Sequence, residues 1–273
     1  MSRSAGDTVE TIVHETKPRD VIVLGVPTFG QVHVFWASRL FANLRHPMNR
    51  IVRTIIVVGR EVGDARNEIV SRALAIEEQD PTLRCSHVFF VDDDVLVHPD
   101  ALVKLLAHKR PIVSGLYFAK SSVPTPLVLS GEDEGTEFSW TPGDLVECWA
   151  HGMGVTLIEA DVFRRLRAET DLGQDGKGYP KWFATTRDEA LVVRPDGVPR
   201  VHNQTEDVYF LRRAASLGYQ PAVDTSPQSF AFHWAQVEQR AYPIKQWFEY
   251  QRQGTITWEM PDGQKVVWGE QVA

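Results

Sequence analysis

The chain has 273 residues and a mass of 30.8 kDa, enough to bury a sizeable core as one large α/β domain or two small ones. Its 43% hydrophobic and 24% charged residues are those of an ordinary globular protein, and a formal charge of −7 offers no global attraction to nucleic acid or anionic lipid. Cys85 and Cys148 make no disulfide framework or zinc cluster, no apolar run approaches the roughly 20 residues that span a bilayer, and "MSRSAGDTVETIVHETKPRD" lacks the apolar core of a signal peptide, so a reducing cytoplasm without membrane insertion is expected.

Taken in chain order, "VIVLGV" (21–26) and "RTIIVVG" (53–59) are continuous apolar runs of the kind that form strands buried on both faces, with a helix predicted in "QVHVFWASRLFANL" between them. "DARNEIVSRALAIEEQ" places Ile69, Ala73 and Ile76 at helical spacing, with Asp64 as its expected N-cap. "HVFFV" supplies a third strand, "HPDALVKLLAHK" a third helix with Pro99 in its first turn, and "PIVSGLYF" a fourth strand. This βαβαβαβ order predicts a doubly wound, Rossmann-like sheet with its ligand at the C-terminal ends of the strands.

The second half is less regular. "LVECWAHGMGVTLIEADVFRRL" reads as strand, glycine-containing turn, strand and helix, whereas 171–203 is rich in Gly, Pro and charge and reads as a long mobile loop able to cover a ligand. "TEDVYFLRRAASLGY" predicts an amphipathic helix capped by Thr205, with Val208, Leu211 and Ala215 on one face and Gly218 as its stop. A last strand and loop follow in "QPAVDTSPQSFAFHW", and "GTITWEM" and "QKVVWGE" across "PDG" predict a C-terminal hairpin. No repeat and no clear linker divides the chain.

The stretch "HVFFVDDDVLVHPDAL" (87–102) sets three aspartates directly after an apolar strand. Crowded carboxylates beside a buried strand lose water and raise one another's pKa unless something positive sits among them. A solvated turn with Asp92, Asp93 and Asp94 pointing outward is one solution, and a divalent cation is another.

The ordered set "VPT" (26–28), "ARN" (65–67), "FVDDDV" (90–95), "SGLYF" (114–118), "GMGVTLIEADVF" (152–163), "TEDVYFLRRAASLGY" (205–219) and "FHW" (232–234) resembles a GT-A glycosyltransferase, in particular the family-2-like enzymes of bacteria and phages. The resemblance spans roughly residues 20 to 235 and rests on order and spacing, since an acidic D-x-D alone is common. It implies a single GT-A domain over 1–273: a nucleotide-binding half at about 20–120, an irregular acceptor half at about 121–235 and a C-terminal extension at about 236–273.

By that resemblance Asp94 is the direct ligand of Mn²⁺ or Mg²⁺, Asp92 a metal or water-bridged contact, Asp93 a ribose contact, and His233 a further metal or phosphate ligand; the other reading of His233 is a packed core histidine. Asp207 takes the place of the family's base in the x-E-D motif, with Glu206 as the fallback residue, although acids in a first helical turn also complement its dipole. Pro27 and Thr28 match the base-binding loop, Arg66 and Asn67 lie toward the nucleotide or diphosphate, and Gly152 and Gly154 let backbone approach the donor sugar or acceptor. Trp149, Trp182 and Trp234 are candidates to stack on a sugar or base, or core residues; His151 stays unassigned.

The implied activity is metal-dependent transfer of a sugar from a UDP- or GDP-linked donor to an acceptor hydroxyl. Inversion is favoured because a positioned Asp207 suits direct displacement. The acceptor is a glycan, a small molecule or a hydroxylated base in phage DNA. A nucleotidyltransferase is the first alternative, against which "GVPTFGQ" supplies no glycine- and lysine-rich phosphate loop. A non-catalytic nucleotide-sugar-binding module is the second.

Overall fold

Residues 21–26 are apolar without a break because both of their faces are covered. In the computed structural model they lie in β1 (Arg19–Thr28), whose side chains alternate between two cores. Val21 and Val23 join Ile69, Val70, Phe163 and Phe210 on one face; Ile22, Leu24 and Val26 join Trp36, Leu40, Leu102 and Leu105 on the other. The structure describes residues 17–120, 125–131, 135–136, 140–193, 199–235, 240–242, 256–259 and 265–268.

Six further strands complete the central sheet: β2 (Ile51–Val58), β3 (Leu83–Val91), β4 (Ile112–Gly115), β5 (Leu145–Glu147), β6 (Val155–Glu159) and β7 (Ala222–Asp224). Their order is β2-β1-β3-β6-β4-β7-β5. β1 is parallel to β2 and β3, and β4 to β7, whereas β6 runs antiparallel between β3 and β4 and β5 is antiparallel at the edge. Helices α1 (Val34–Asn43) and α4 (Ala101–Ala107) cover one face. The other carries α2 (Val62–Leu74), the short α3 (Ile76–Gln79), α5 (Ala160–Glu169) and α6 (Glu206–Ser216). This is the mostly parallel, Rossmann-like α/β sheet that the sequence predicts, and it draws strands from both notional halves of the chain.

Several local expectations are corrected. The helix predicted over 64–79 divides at Ala75, and its N-cap is Glu61, whose Oε2 accepts from the Asp64 amide at 3.1 Å; Asp64 lies in the first turn. Pro99 precedes the Asp100 cap rather than standing inside α4. The core face of α6 is Phe210, Leu211 and Ala214, with Ala215 only half-buried. Gly218, at φ 86°, ends that helix as expected.

The largest correction concerns 171–203. Leu172, Trp182 and Phe183 are core residues, and Trp182 Nε1 donates to the Phe163 carbonyl at 3.0 Å. Beyond them Thr186–Val193 and Pro199–Gln204 pair as an antiparallel hairpin. The glycines and charges of 173–179 mimic a loose loop, but Asp175 ties them down. Its Oδ1 accepts from the amides of Lys177 (2.8 Å) and Tyr179 (3.0 Å), and its Oδ2 from Arg60 at 2.8 Å. The C-terminal hairpin is present, with Ile256–Glu259 antiparallel to Lys265–Trp268.

Candidate functional site

β3 delivers the aspartates at its C-terminal end, where a tight turn holds them. The Asp92 amide donates to the Gly154 carbonyl (3.0 Å), and the Asp92 carbonyl accepts from Val95 N (3.1 Å) and Trp36 Nε1 (2.9 Å). The chain then pairs Val95–Leu96 antiparallel with Phe232–His233. That short ladder brings His233 beside Asp94, whose carbonyl also accepts from Trp234 N at 2.6 Å.

Each of the three carboxylates meets a different partner. Asp93 accepts from the Thr28 hydroxyl and the Phe29 amide; half-buried, it is pushed up by desolvation and by its two acidic neighbours. Asp92 Oδ1 accepts from Arg66 at 2.7 Å. Asp94 Oδ2 is ion-paired with Lys120, and its Oδ1 lies 3.3 Å from His233 Nε2. Burial pushes the Asp94 carboxyl up, but His233 and Lys120 outweigh it and hold it down at about 2.

Arg66 is the centre of the arrangement. Its guanidinium is wholly buried between the rings of Phe90 and Phe183, at 5.9 and 6.0 Å, and reaches Glu206 Oε1 at 2.6 Å with its other terminal nitrogen. Burial alone would lower its pKa; the carboxylates of Asp92, Glu206 and Asp207 reverse that and raise it. Burial, with Asp207 beside it, pushes the Glu206 carboxyl up against the pull of the Arg66 guanidinium 2.6 Å away. Arg66 thereby joins the end of β3 to the first turn of α6.

Asp207, the next residue, is half-buried and is oriented through Oδ1, which takes the Thr205 hydroxyl and, at 2.8 Å, the Val208 amide. The Thr205 side chain therefore caps no backbone amide, contrary to expectation; it is spent on Asp207. Close by is His151, only 1% exposed, with Nδ1 bonded to the Gly152 carbonyl at 2.8 Å and Nε2 buried without a partner. Desolvation depresses its pKa to about 4, against the pull of Asp207, so the ring is neutral at pH 7.

The remaining predicted residues divide. Thr28 reaches Asp93, and Pro27 is buried in β1 itself, past Gly25 where the β3 pairing ends, so its missing N–H is tolerated. Arg66 faces carboxylates, not open solvent. Asn67 is fully buried and exchanges hydrogen bonds with the Phe183 backbone at 2.8 and 2.9 Å. Gly152 and Gly154 have an internal reason: a Cβ on Gly152 would lie 2.2 Å from the Tyr117 hydroxyl, and one on Gly154 3.0 Å from it. That hydroxyl accepts from Gly154 N at 2.8 Å. Trp182 is core, Trp149 lies under Arg212 at 4.8 Å, and Trp234 stacks near His33 at 4.8 Å. Sequence reasoning missed Tyr117 and Lys120; both sit near "SGLYF", where nothing local marks them as facing the aspartates.

The fit to a metal can be judged from His233. Its Nδ1 lies 3.0 Å from the Phe118 carbonyl, which only accepts, so Nδ1 carries the hydrogen. Nε2, on the other side of the ring, faces the Asp94 carboxylate at 3.3 Å, and the two need a proton or a cation between them. Among the described residues no group of three His, Cys, Asp or Glu side chains is placed to hold a metal. Asp94 and His233 would offer two ligands to an ion whose other positions were filled by phosphate and water.

No family model and no curated protein matches this chain. Among solved structures, it is similar to A197 from STIV at 15% identity and a TM-score of 0.47, over 93% of this chain and 96% of that one. It is also similar to the inositol-1-phosphate CTP transferase from T. maritima at 11% identity and a TM-score of 0.35, over 88% and 99% of the two chains.

Proposed function

We propose that the protein transfers a sugar from a nucleotide diphospho-sugar to an acceptor hydroxyl. One observation carries the reading: at the C-terminal end of β3, Asp94 meets His233 while Arg66 ties Asp92 to Glu206, so the D-x-D and the acidic first turn of α6 share one site. Strand ends of this kind are where open α/β sheets bind ligands.

Asp94 and His233 would hold Mn²⁺ or Mg²⁺, which when bound offsets the charge that grows on the departing diphosphate. Phe29, 77% exposed and joined through its amide to Asp93, offers a face to the nucleoside, and Asp93 an acceptor for its ribose. Asp207 takes the acceptor's proton as the acceptor oxygen bonds to the anomeric carbon and the bond to the diphosphate breaks. Its Oδ1 is held by Thr205 and Val208, which leaves Oδ2 for that proton. The donor is UDP- or GDP-linked, and the acceptor is a glycan, a small molecule or a hydroxylated base.

A panel of UDP- and GDP-sugars, each with and without Mn²⁺, tests this by thermal shift followed by assay of sugar transfer and donor hydrolysis. At least one donor is expected to raise the melting temperature in a metal-dependent way, as ligand linkage requires, and to be turned over. Protection without turnover against every acceptor would favour a binding module, and release of diphosphate from a nucleoside triphosphate would favour a nucleotidyltransferase.

A further inference from the structure

Lys120 was invisible as a site residue in the sequence, yet among the described residues its ammonium is the basic group closest to Asp94. The same short segment places both of that carboxylate's partners: the Phe118 carbonyl anchors His233 Nδ1, and Lys120 follows two residues later. The segment is itself fixed, since the Ala119 amide donates to the Thr125 carbonyl at 2.9 Å and Phe118 bridges to Pro126. The Lys120 side chain is 40% exposed, whereas Arg66, the partner of Asp92, is 2% exposed. One cation is locked in place; the other has room to leave.

The charge balance gives it a reason to leave. Among the described residues, Asp92, Asp93, Asp94, Glu206 and Asp207 gather around two basic side chains, Arg66 and Lys120, and Arg66 is consumed by Asp92 and Glu206. A diphosphate entering such a site meets like charge. A divalent ion on Asp94 would meet the ammonium already there, and the two repel at that range.

We propose that Lys120 is an exchangeable counter-ion of the donor site: it neutralises Asp94 in the absence of a divalent ion, yields that carboxylate to the ion, and then places its ammonium on the donor's phosphates. The inference rests on the metal reading given above, and it predicts that one substitution moves two affinities in opposite directions.

The test uses the full chain, with Mn²⁺ alone and then inorganic pyrophosphate in saturating Mn²⁺ as calorimetric probes. Lys120→Gln is expected to bind Mn²⁺ alone about two- to fivefold more tightly than the native chain, the scale of a part-exposed ion pair, and pyrophosphate more weakly by a similar factor. Lys120→Arg, which keeps the charge, is expected to restore the pyrophosphate affinity. Unchanged or weaker Mn²⁺ binding in Lys120→Gln, or unchanged pyrophosphate binding, overturns the proposal and leaves the metal site standing. If neither chain binds Mn²⁺, the metal reading falls and the proposal with it. Mn²⁺ binding by Lys120→Gln but not by the native chain supports both.

Discussion

Asp92 and Asp94 stand two residues apart, with nearly equal side-chain exposure of 26% and 24%, yet they are neutralised in opposite ways. Asp92 is held by a buried guanidinium that also holds Glu206, so removing Arg66 leaves two carboxylates without their partner in the interior. Asp94 is held by a half-exposed ammonium and an imidazole, both of which can give way to water or another cation. Equal exposure of the acids hides an unequal exposure of the bases. Where carboxylates cluster, it is the burial of the cation that separates a strut from a ligand site, because only an exposed cation can be exchanged without desolvating a charge.

The widest separation between the two sides is expected in turnover. On the proposed reading, Asp207→Asn should lower the transfer rate by about 10² to 10⁴ while donor binding is largely kept, as loss of a general base does. Glu206→Gln, on the strut side, should chiefly lower stability. A larger rate loss in Glu206→Gln than in Asp207→Asn would exchange their roles.

Arg66→Met sharpens the comparison in equilibrium unfolding. Two carboxylates lose their buried partner, and a loss of about 3–5 kcal/mol is expected from urea denaturation. Lys120→Gln should cost no more than about 1 kcal/mol by the same measurement. Comparable losses in the two variants would remove the distinction between strut and exchangeable ion.

Acid tests the buried histidine near Asp207. His151, depressed to about 4 in the folded chain against 6.5 when unfolded, binds its proton more readily in the unfolded state. Stability is therefore complete above about pH 6.5 and is lost as the pH falls toward 4, by on the order of 1–2 kcal/mol between pH 7 and 5. His151→Leu should flatten that part of the profile, which denaturation midpoints at the two pH values will show.

At Asp94 the expected change in stability is small and its sign is the test. From the sequence, crowding of the triplet predicts that Asp94→Ala relieves repulsion and raises the melting temperature of the metal-free protein. The structure reverses the sign. Its carboxyl is held down at about 2, so its ionised form stabilises the fold above about pH 4 and that contribution is lost as the pH falls through about 2. Asp94→Ala should lower stability at pH 7 by about 1 kcal/mol and, on the proposed reading, abolish metal-dependent nucleotide binding. A raised melting temperature would show that Lys120 and His233 do not neutralise Asp94.

What the amino-acid sequence determined by itself was the layering. The continuous apolar run at 21–26 reads as a strand covered on both sides, and it is one; the same reading fails at 53–59, where β2 is the edge strand and leaves Ile56 and Val58 exposed. Helical spacing between the strands implied parallel crossovers, so the sheet and the position of the triplet at a strand end were legible. Local signals failed where a side chain's partner is distant in the chain. Asp175 turns a glycine-rich, charged stretch into packed structure only because Arg60 reaches it, and Trp182 is core only because α5 lies over it. Gly152 and Gly154 make room for Tyr117, a contact that no spacing announces. Arg66, Lys120 and His233 come from three separate segments, and what each does to the aspartates depends on which carboxylate it reaches and how far it is buried. Both quantities arise when the strands pair, because desolvation and charge pairing act through space and carry no periodicity along the chain.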